Sequence, residues 1–178
     1  MNRVRHALVV GGSGMLAGLS RSLLDIGDRV SVLARSAERV RAIAPALEPV
    51  ICDYNDATAV SDALNDLPPP GLVVAWIHGR APELRRALAS RVTPGGRFVQ
   101  VLGSAHGDPS HPERLSGMAA AAESLPITYQ AVVLGFALDA GRSRWLTHEE
   151  ISTGVFRAIM ADVPRAIVGT VEPWSARP

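Results

Sequence analysis

After an apolar run at residues 6–10, the chain reads Gly11-Gly12-Ser13-Gly14-Met15-Leu16-Ala17, and a segment of helical period follows. The stretch fits the spacing GxGxxA counted from Gly12 and GxxGxxA counted from Gly11. In either frame one glycine takes backbone dihedrals closed to side chains, a second lets a phosphate approach the backbone, and a small third residue lets helix and strand pack closely. The amides at the helix start can then bind that phosphate. We therefore predict a strand, turn and helix that hold the diphosphate of a dinucleotide.

The second apolar run, residues 30–34, completes a βαβ unit and is followed by Arg35 and Ser36. A site for NAD(H) usually has an Asp or Glu about 20 residues beyond the glycines, which binds the ribose hydroxyls. No carboxylate stands at this strand end. Instead Arg35 can pair with a 2′-phosphate, Ser36 can donate to it, and Arg39 lies one helical turn further on. The pattern favours NADP(H) over NAD(H), and the alternative is that both arginines only solvate the surface.

Strand-length apolar runs alternate with helical segments along the rest of the chain. This rhythm predicts an α/β fold, with a doubly wound and mainly parallel Rossmann sheet of six or seven strands in the order 3-2-1-4-5-6(-7). Helices are predicted between the strands, among them one over residues 111–125 and one that begins at the capping box Thr147 to Glu150. A length of 178 residues suits a single NAD(P)-binding Rossmann domain over residues 1–178.

The composition and net charge of the chain limit the classes of molecule that it is expected to bind. The 18 basic and 17 acidic residues leave a net charge of +1, which is too weak to indicate nucleic acid or an anionic membrane surface. No apolar run predicts a secretion signal or a membrane span, and Cys52, the one cysteine, has no internal disulfide partner. We expect a cytoplasmic protein whose partner is a small-molecule substrate.

Two further stretches complete a pattern with the glycine turn and Ala34-Arg35-Ser36: Cys52-Asp53-Tyr54 and, at residues 74–79, Val-Ala-Trp-Ile-His-Gly. Over most of its length the chain resembles the short-chain dehydrogenase/reductase superfamily, especially its atypical, NmrA-like members. The resemblance implies that Asp53 and Tyr54 lie near the adenine and that residues 76–78 pass the ribose and nicotinamide. The predicted contacts to NADP are Gly11, Gly12, Ser13, Gly14, Met15, Leu16, Arg35, Ser36, Arg39, Asp53, Tyr54, Trp76, Ile77 and His78.

The fifth predicted strand, residues 97–102, is followed by Gly103 and Ser104, which resembles the strand that ends in the family's catalytic serine. A typical member also has a Tyr, and a Lys four residues later, on the next helix. Residues 111–125 contain neither, the chain has no Lys at all, and Tyr129 falls in a predicted strand. The proton transfer that the family assigns to this pair is therefore absent.

Histidines are the candidates to replace that acid, because imidazole titrates near neutral pH. His78, His106 and His111 all follow strands four and five, where open α/β sheets bind ligands. We predict His106, together with Ser104, as the catalytic residues. The alternatives are a solvated loop for His106, a backbone or cofactor contact for His78, and a helix-start role for His111. Spacing alone allows zinc at His106, Asp108 and His111 but nothing fixes its geometry, so no metal is predicted.

Residues 135–145 follow the sixth strand, are partly apolar and contain Gly135 and Gly141, which suits the mobile substrate cover that the resemblance implies. Trp145 is predicted to pack there or to line a pocket. The alanine run at residues 119–122 permits the close helix approach through which the family forms dimers, so a homodimer is compatible with the sequence.

Two functions from different classes remain. The first is an NADP(H)-dependent oxidoreductase that holds nicotinamide against a small electron-poor substrate, which can take its proton from solvent. The second is a non-catalytic, NADP(H)-binding redox sensor or regulator of NmrA type, which the missing Tyr and Lys would suit. The sequence favours the enzyme.

Overall fold

Buried apolar strands form the centre of the protein, which is seen here in a computed structural model that describes residues 6–77, 81–119 and 122–178. Seven strands pair in parallel in the order β3-β2-β1-β4-β5-β6-β9, and a separate hairpin pairs β7 with β8. The strands are β1 (His6–Val10), β2 (Arg29–Ala34), β3 (Glu48–Ile51), β4 (Leu72–Trp76), β5 (Arg97–Leu102), β6 (Thr128–Leu134), β7 (Phe136–Asp139), β8 (Arg142–Trp145) and β9 (Arg165–Val168). The predicted doubly wound sheet and its strand order are confirmed.

Helices cover both faces of the sheet. They are α1 (Ala17–Asp25), α2 (Ala37–Ile43), α3 (Ala57–Asn65), α4 (Pro82–Ser90), α5 (Glu113–Ser116) and α6 (His148–Ala161). Alternate residues of β1 point to opposite faces, so Ala7 and Val9 pack in the core beneath α1, α2 and α6, while Leu8 and Val10 pack beneath α3 and α4. This burial on both faces explains why the strands read as continuous apolar runs.

Side chains cap the starts of α2 and α6. The Ser36 hydroxyl accepts from the amide of Arg39 at the start of α2. At α6 the Thr147 side chain accepts from the amide of Glu150, whose carboxylate accepts in return from the Thr147 amide, which confirms the predicted capping box. Among the described helices none is long and apolar enough to cross a membrane.

One prediction about the second half of the chain is wrong. Among the described residues of the range 111–125, the predicted helix is α-helical only in α5, because Gly117 follows at once. Residues 135–145, predicted as a mobile substrate cover, form the antiparallel β7–β8 hairpin, and the role of a cover stays a prediction. Its outer strand is held by Arg144, whose guanidinium donates to both carboxylate oxygens of Glu150 at 2.8 and 2.9 Å.

Candidate functional site

The carboxyl ends of β1 and β4 mark the point where the strand order reverses. From β1 the sheet continues to β2 and β3 on one side and to β4, β5, β6 and β9 on the other. Crossovers on opposite sides leave a crevice at such a point, where open α/β sheets bind their ligands. The glycine turn, residues 11–16, leads from β1 into α1 at this edge.

Each position of the turn that holds a glycine requires it for a different structural reason. Gly11 has φ of 84°, in the left-handed region that favours glycine. A Cβ on Gly12 would lie 2.7 Å from Ser20 Oγ and 2.9 Å from Val9 Cγ1, so its absence lets α1 pack against the sheet. A Cβ on Gly14 would meet nothing nearer than the Gly11 carbonyl oxygen at 3.8 Å. Gly14 therefore leaves open space above the turn, where a ligand can approach the backbone.

The turn also offers unused hydrogen-bond donors. Gly14 and Ala17 donate their amides to the carbonyls of Gly11 and Gly14, at 3.2 and 3.0 Å. The amides of Ser13, Met15 and Leu16 donate to no acceptor in the described part of the chain. Free amides at a helix start, beside an exposed glycine, suit the oxygens of a diphosphate. Leu16 takes part with its backbone alone, because its side chain is fully buried in the core.

The end of β2 lies beside this turn. The register pairs Val10 of β1 with Leu33 of β2, so Arg35 and Ser36 follow their strand next to the glycines. The Arg35 side chain is exposed and has no hydrogen bond or ion pair with a described residue. Ser36 accepts from the Arg39 amide at 3.3 Å and keeps its own hydroxyl hydrogen to donate. Arg39 projects from the same end of α2 and is also exposed.

Asp53 and Tyr54 follow β3 on the same edge of the sheet. One carboxylate oxygen of Asp53 accepts from the backbone and side-chain amides of Asn55, at 3.0 and 2.8 Å. This turn holds the exposed Asp53 carboxylate in place and leaves its second oxygen available. Tyr54 is half-buried against the core beneath α3 and α4.

Trp76 spans the ends of three strands. Its Cβ lies 3.3 Å from the position that a Cβ on Gly11 would take, and its Cη2 lies 3.7 Å from the corresponding position on Gly103. The indole thus crosses from the end of β1 to the end of β5, as a partly buried wall that also packs against the core. Ile77 follows it, whereas His78 lies outside the described residues.

A cleft of about 590 Å³ opens beside Trp76 and Ile77, between α4 and the segment that follows β5. Its lining brings together Trp76, Ile77 and His106 of the predicted site residues. The His106 ring Nδ1 lies 3.3 Å from the Gly103 carbonyl oxygen, which orients the ring and leaves Nε2 available. Among the described residues no three His, Cys, Asp or Glu side chains are grouped to hold a metal, and exposed His111 pairs instead with Glu113 at 3.0 Å.

Ser104 does not line that cleft. It is buried, and its hydroxyl accepts from the Nε of Arg177 at 2.9 Å. The Arg177 guanidinium lies over the rings of Trp145 and Trp174, 5.2 and 5.3 Å from their centroids. Trp145 therefore packs in this cluster rather than in the cleft. No sequence signal indicates the bond, because Ser104 and Arg177 are 73 positions apart.

Arg85, a buried residue of α4, also lines the cleft and was not predicted as a site residue. The sequence does contain a pattern that indicates the burial of Arg85. Ala81, Leu88 and Ala89 stand four before, three after and four after Arg85, which places this arginine on the apolar stripe of its helix.

No protein-family model and no curated protein matches the sequence. Solved structures do share the fold. A short-chain dehydrogenase from Burkholderia cenocepacia in complex with NADP has a TM-score of 0.69 at 20% identity and covers 93% of this chain and 88% of its own. A short-chain type dehydrogenase/reductase from Mycobacterium marinum has a TM-score of 0.70 at 14% identity, with 95% of each chain covered. A gluconate 5-dehydrogenase from Burkholderia cenocepacia, in complex with NADP and tartrate, has a TM-score of 0.66 at 16% identity, with 94% of each chain covered. At these identities the likeness establishes the Rossmann-type fold.

Proposed function

We propose that the chain is an NADP(H)-dependent oxidoreductase, an atypical member of the short-chain dehydrogenase/reductase superfamily that works without a Tyr-Lys pair. The observation that carries this proposal is Arg35, an exposed arginine without a described partner at the strand end beside the glycine turn. A guanidinium so placed suits a 2′-phosphate. The dehydrogenases from Burkholderia cenocepacia, which share the fold and were crystallised with NADP, support the same class of cofactor.

Each predicted contact has a separate task. The free amides of the turn bind the diphosphate, and Gly14 gives it access. Arg35 and Ser36 bind the 2′-phosphate, with Arg39 adding positive charge nearby. The free oxygen of Asp53 binds on the adenine side, while Trp76 forms the wall against which the nicotinamide end lies. Bound in this way, NADPH supplies the hydride for a reduction.

His106 is the proposed proton donor. Its Nδ1 lies beside the Gly103 carbonyl oxygen, so a protonated ring donates from Nε2 to a molecule in the cleft. Solvent can supply the proton when the substrate is electron-poor enough. Ser104, the other predicted catalytic residue, is buried and does not line the cleft, so its hydroxyl would have to turn toward the cleft before it could donate to a substrate oxygen.

The burial of Ser104 outside the cleft favours the second candidate, a redox sensor, because it keeps the serine hydroxyl away from a molecule bound there. Turnover separates the two functions. The purified protein should oxidise NADPH in the presence of quinones, flavins or activated carbonyl compounds, followed by the loss of NADPH absorbance. NADPH binding without turnover across that panel would support the sensor and contradict the enzyme. The absence of NADPH binding would contradict both.

A further inference from the structure

A buried arginine lines the cleft between α4 and the segment after β5. Arg85 is 8% exposed, yet its side chain has no hydrogen bond or ion pair with any residue of the described ranges. Other partly buried arginines do have partners. Arg91 donates to the carbonyls of Leu64 and Leu67 at 2.6 and 2.8 Å, and Arg97 pairs with Asp162. Arg85 is therefore the exception among them.

The unpaired charge cannot be removed by deprotonation, because arginine stays protonated in proteins. A largely buried cation that only the cleft exposes to solvent is partly desolvated, and an anion that enters the cleft beside it offsets that cost. The carboxylates near the cleft are engaged elsewhere: Glu113 is exposed and pairs with His111 at 3.0 Å, and Asp108 lies 3.5 Å from Arg114. No carboxylate of the described residues pairs with Arg85, so an external anion can take that place.

Tyr129 does not supply the missing negative charge either. Its hydroxyl donates to Gln100 Oε1 at 3.0 Å, beside the cleft that Gln100 lines. Burial raises the pKa of Tyr129, and the positive charge of Arg85 opposes this shift only in part. The phenol therefore stays neutral at physiological pH and provides no negative charge to pair with Arg85.

The other residues that line the cleft indicate what the uncharged part of a bound anion should be. Apolar side chains form much of the wall, contributed by Trp76, Ile77, Pro82, Leu102 and Met118. A volume of about 590 Å³ lies within the range of small-molecule sites. A charged end beside Arg85 and an apolar body along this wall suit a small organic carboxylate better than a bare inorganic anion.

We propose that the cleft binds a small organic carboxylate whose anionic group pairs with Arg85, and that carbonyl compounds carrying such a carboxylate are the substrates. The second half of this inference rests on the proposed reductase function, because His106 and Trp76 line the same cleft. The carbonyl carbon of the acceptor would receive the hydride of NADPH and its oxygen a proton. The products are then the hydroxy acid and NADP⁺.

Binding is tested first, without cofactor, by titrating the full chain with benzoate, its neutral analogue benzamide and inorganic phosphate in calorimetry. We expect benzoate to bind most tightly and Arg85→Gln to weaken it at least tenfold. Arg85→Lys should restore part of the affinity. The matched control is Arg86→Gln on the exposed side of α4, which should leave binding unchanged. Equal binding of benzamide, or equal losses in both Gln variants, would overturn the carboxylate site.

The variants are also followed by thermal unfolding, so that a folding defect is recognised. Arg85→Gln removes an unpaired buried charge, so we expect no loss of melting temperature in the absence of ligand. Benzoate should raise the melting temperature of the unmodified protein and of Arg86→Gln, but not of Arg85→Gln. A benzoate-dependent rise of equal size in all three would contradict the role of Arg85.

The substrate assignment is tested with phenylglyoxylate and its amide as acceptors for NADPH. The carboxylate should be reduced at least tenfold faster at low concentration, and Arg85→Gln should abolish that preference. Equal rates would overturn the assignment. If benzoate binding depends on Arg85 but the protein does not bind NADPH, the carboxylate site stands and the reductase function is refuted. If the protein binds NADPH but benzoate binding does not depend on Arg85, the carboxylate site is refuted and the proposed cofactor stands.

Discussion

Reversing the charge of Arg35 should change the cofactor preference of the protein. The guanidinium has no described partner, so no internal bond must break before it binds a 2′-phosphate. A charge-assisted hydrogen bond contributes about 1.5–3 kcal/mol, which corresponds to about a 10–100-fold change in affinity. Because Arg35 is exposed, solvent screening places the loss of the contact itself near the lower end of that range.

In Arg35→Glu, repulsion between the new carboxylate and the phosphate adds to this loss. The same carboxylate can accept hydrogen bonds from the free ribose hydroxyls of NADH, which have no phosphate. NADPH affinity should therefore fall about 10–100-fold while NADH affinity holds or rises. The preference of the unmodified protein should also shrink as salt concentration rises.

Calorimetric titration with both cofactors, at low and moderate salt, measures this ratio. Arg41→Glu provides the matched control, because Arg41 is an exposed arginine in the last turn of α2 and carries the same charge reversal. It should leave the ratio almost unchanged. The reasoning about Arg35 is refuted if both variants change the ratio equally, or if the unmodified protein binds NADH as tightly as NADPH.

Three further predictions concern the turn, the hairpin and the buried serine. Gly14→Val should abolish NADPH binding in calorimetry and leave thermal unfolding almost unchanged. Gly12→Ala should destabilise the fold by about 1–3 kcal/mol, because its Cβ would meet three packed side chains. If Gly14→Val unfolds the protein and Gly12→Ala only weakens NADPH binding, the roles given to the two glycines are wrong. Hydrogen bonds from Arg144 lower the pKa of Glu150 to about 2, so the contribution of this carboxylate to stability is complete above the ordinary pKa of 4.5 and is lost as pH falls toward 2. The melting temperatures of Glu150→Gln and the unmodified protein should therefore converge over that pH interval. A constant difference would show that the ion pair does not cause the difference in stability. Arg177→Ala removes the guanidinium that donates to Ser104 Oγ, so the serine can turn toward a substrate and any slow NADPH oxidation should rise, whereas an unchanged rate would indicate that this serine takes no part in the reaction.

Much of the amino-terminal half of the fold follows from local sequence patterns. The glycine turn, the strand end at Arg35 and the N-cap at Ser36 are set by neighbouring residues, so a short window of sequence is enough to predict them. The strand order was predictable because parallel βαβ units allow few crossovers.

The second half of the chain depends on contacts between distant residues. The alanine run after Gly117 has good helix propensity, but a methyl side chain offers little apolar surface, so local propensity alone does not fix a long helix there. The β7–β8 hairpin was missed because its two strands are only four residues each and lack a strong alternation of apolar and polar residues. The bond from Arg177 to Ser104 joins segments that no local pattern relates.

The central claim is that the glycine turn and the end of β2 together hold NADP(H). A crystal structure of the protein with NADPH tests it most directly. We predict the diphosphate on the amides of Ser13, Met15 and Leu16, and the 2′-phosphate within hydrogen-bond distance of Arg35. NADPH bound elsewhere, or bound at the turn with its 2′-phosphate pointing away from Arg35 into solvent, would contradict the claim.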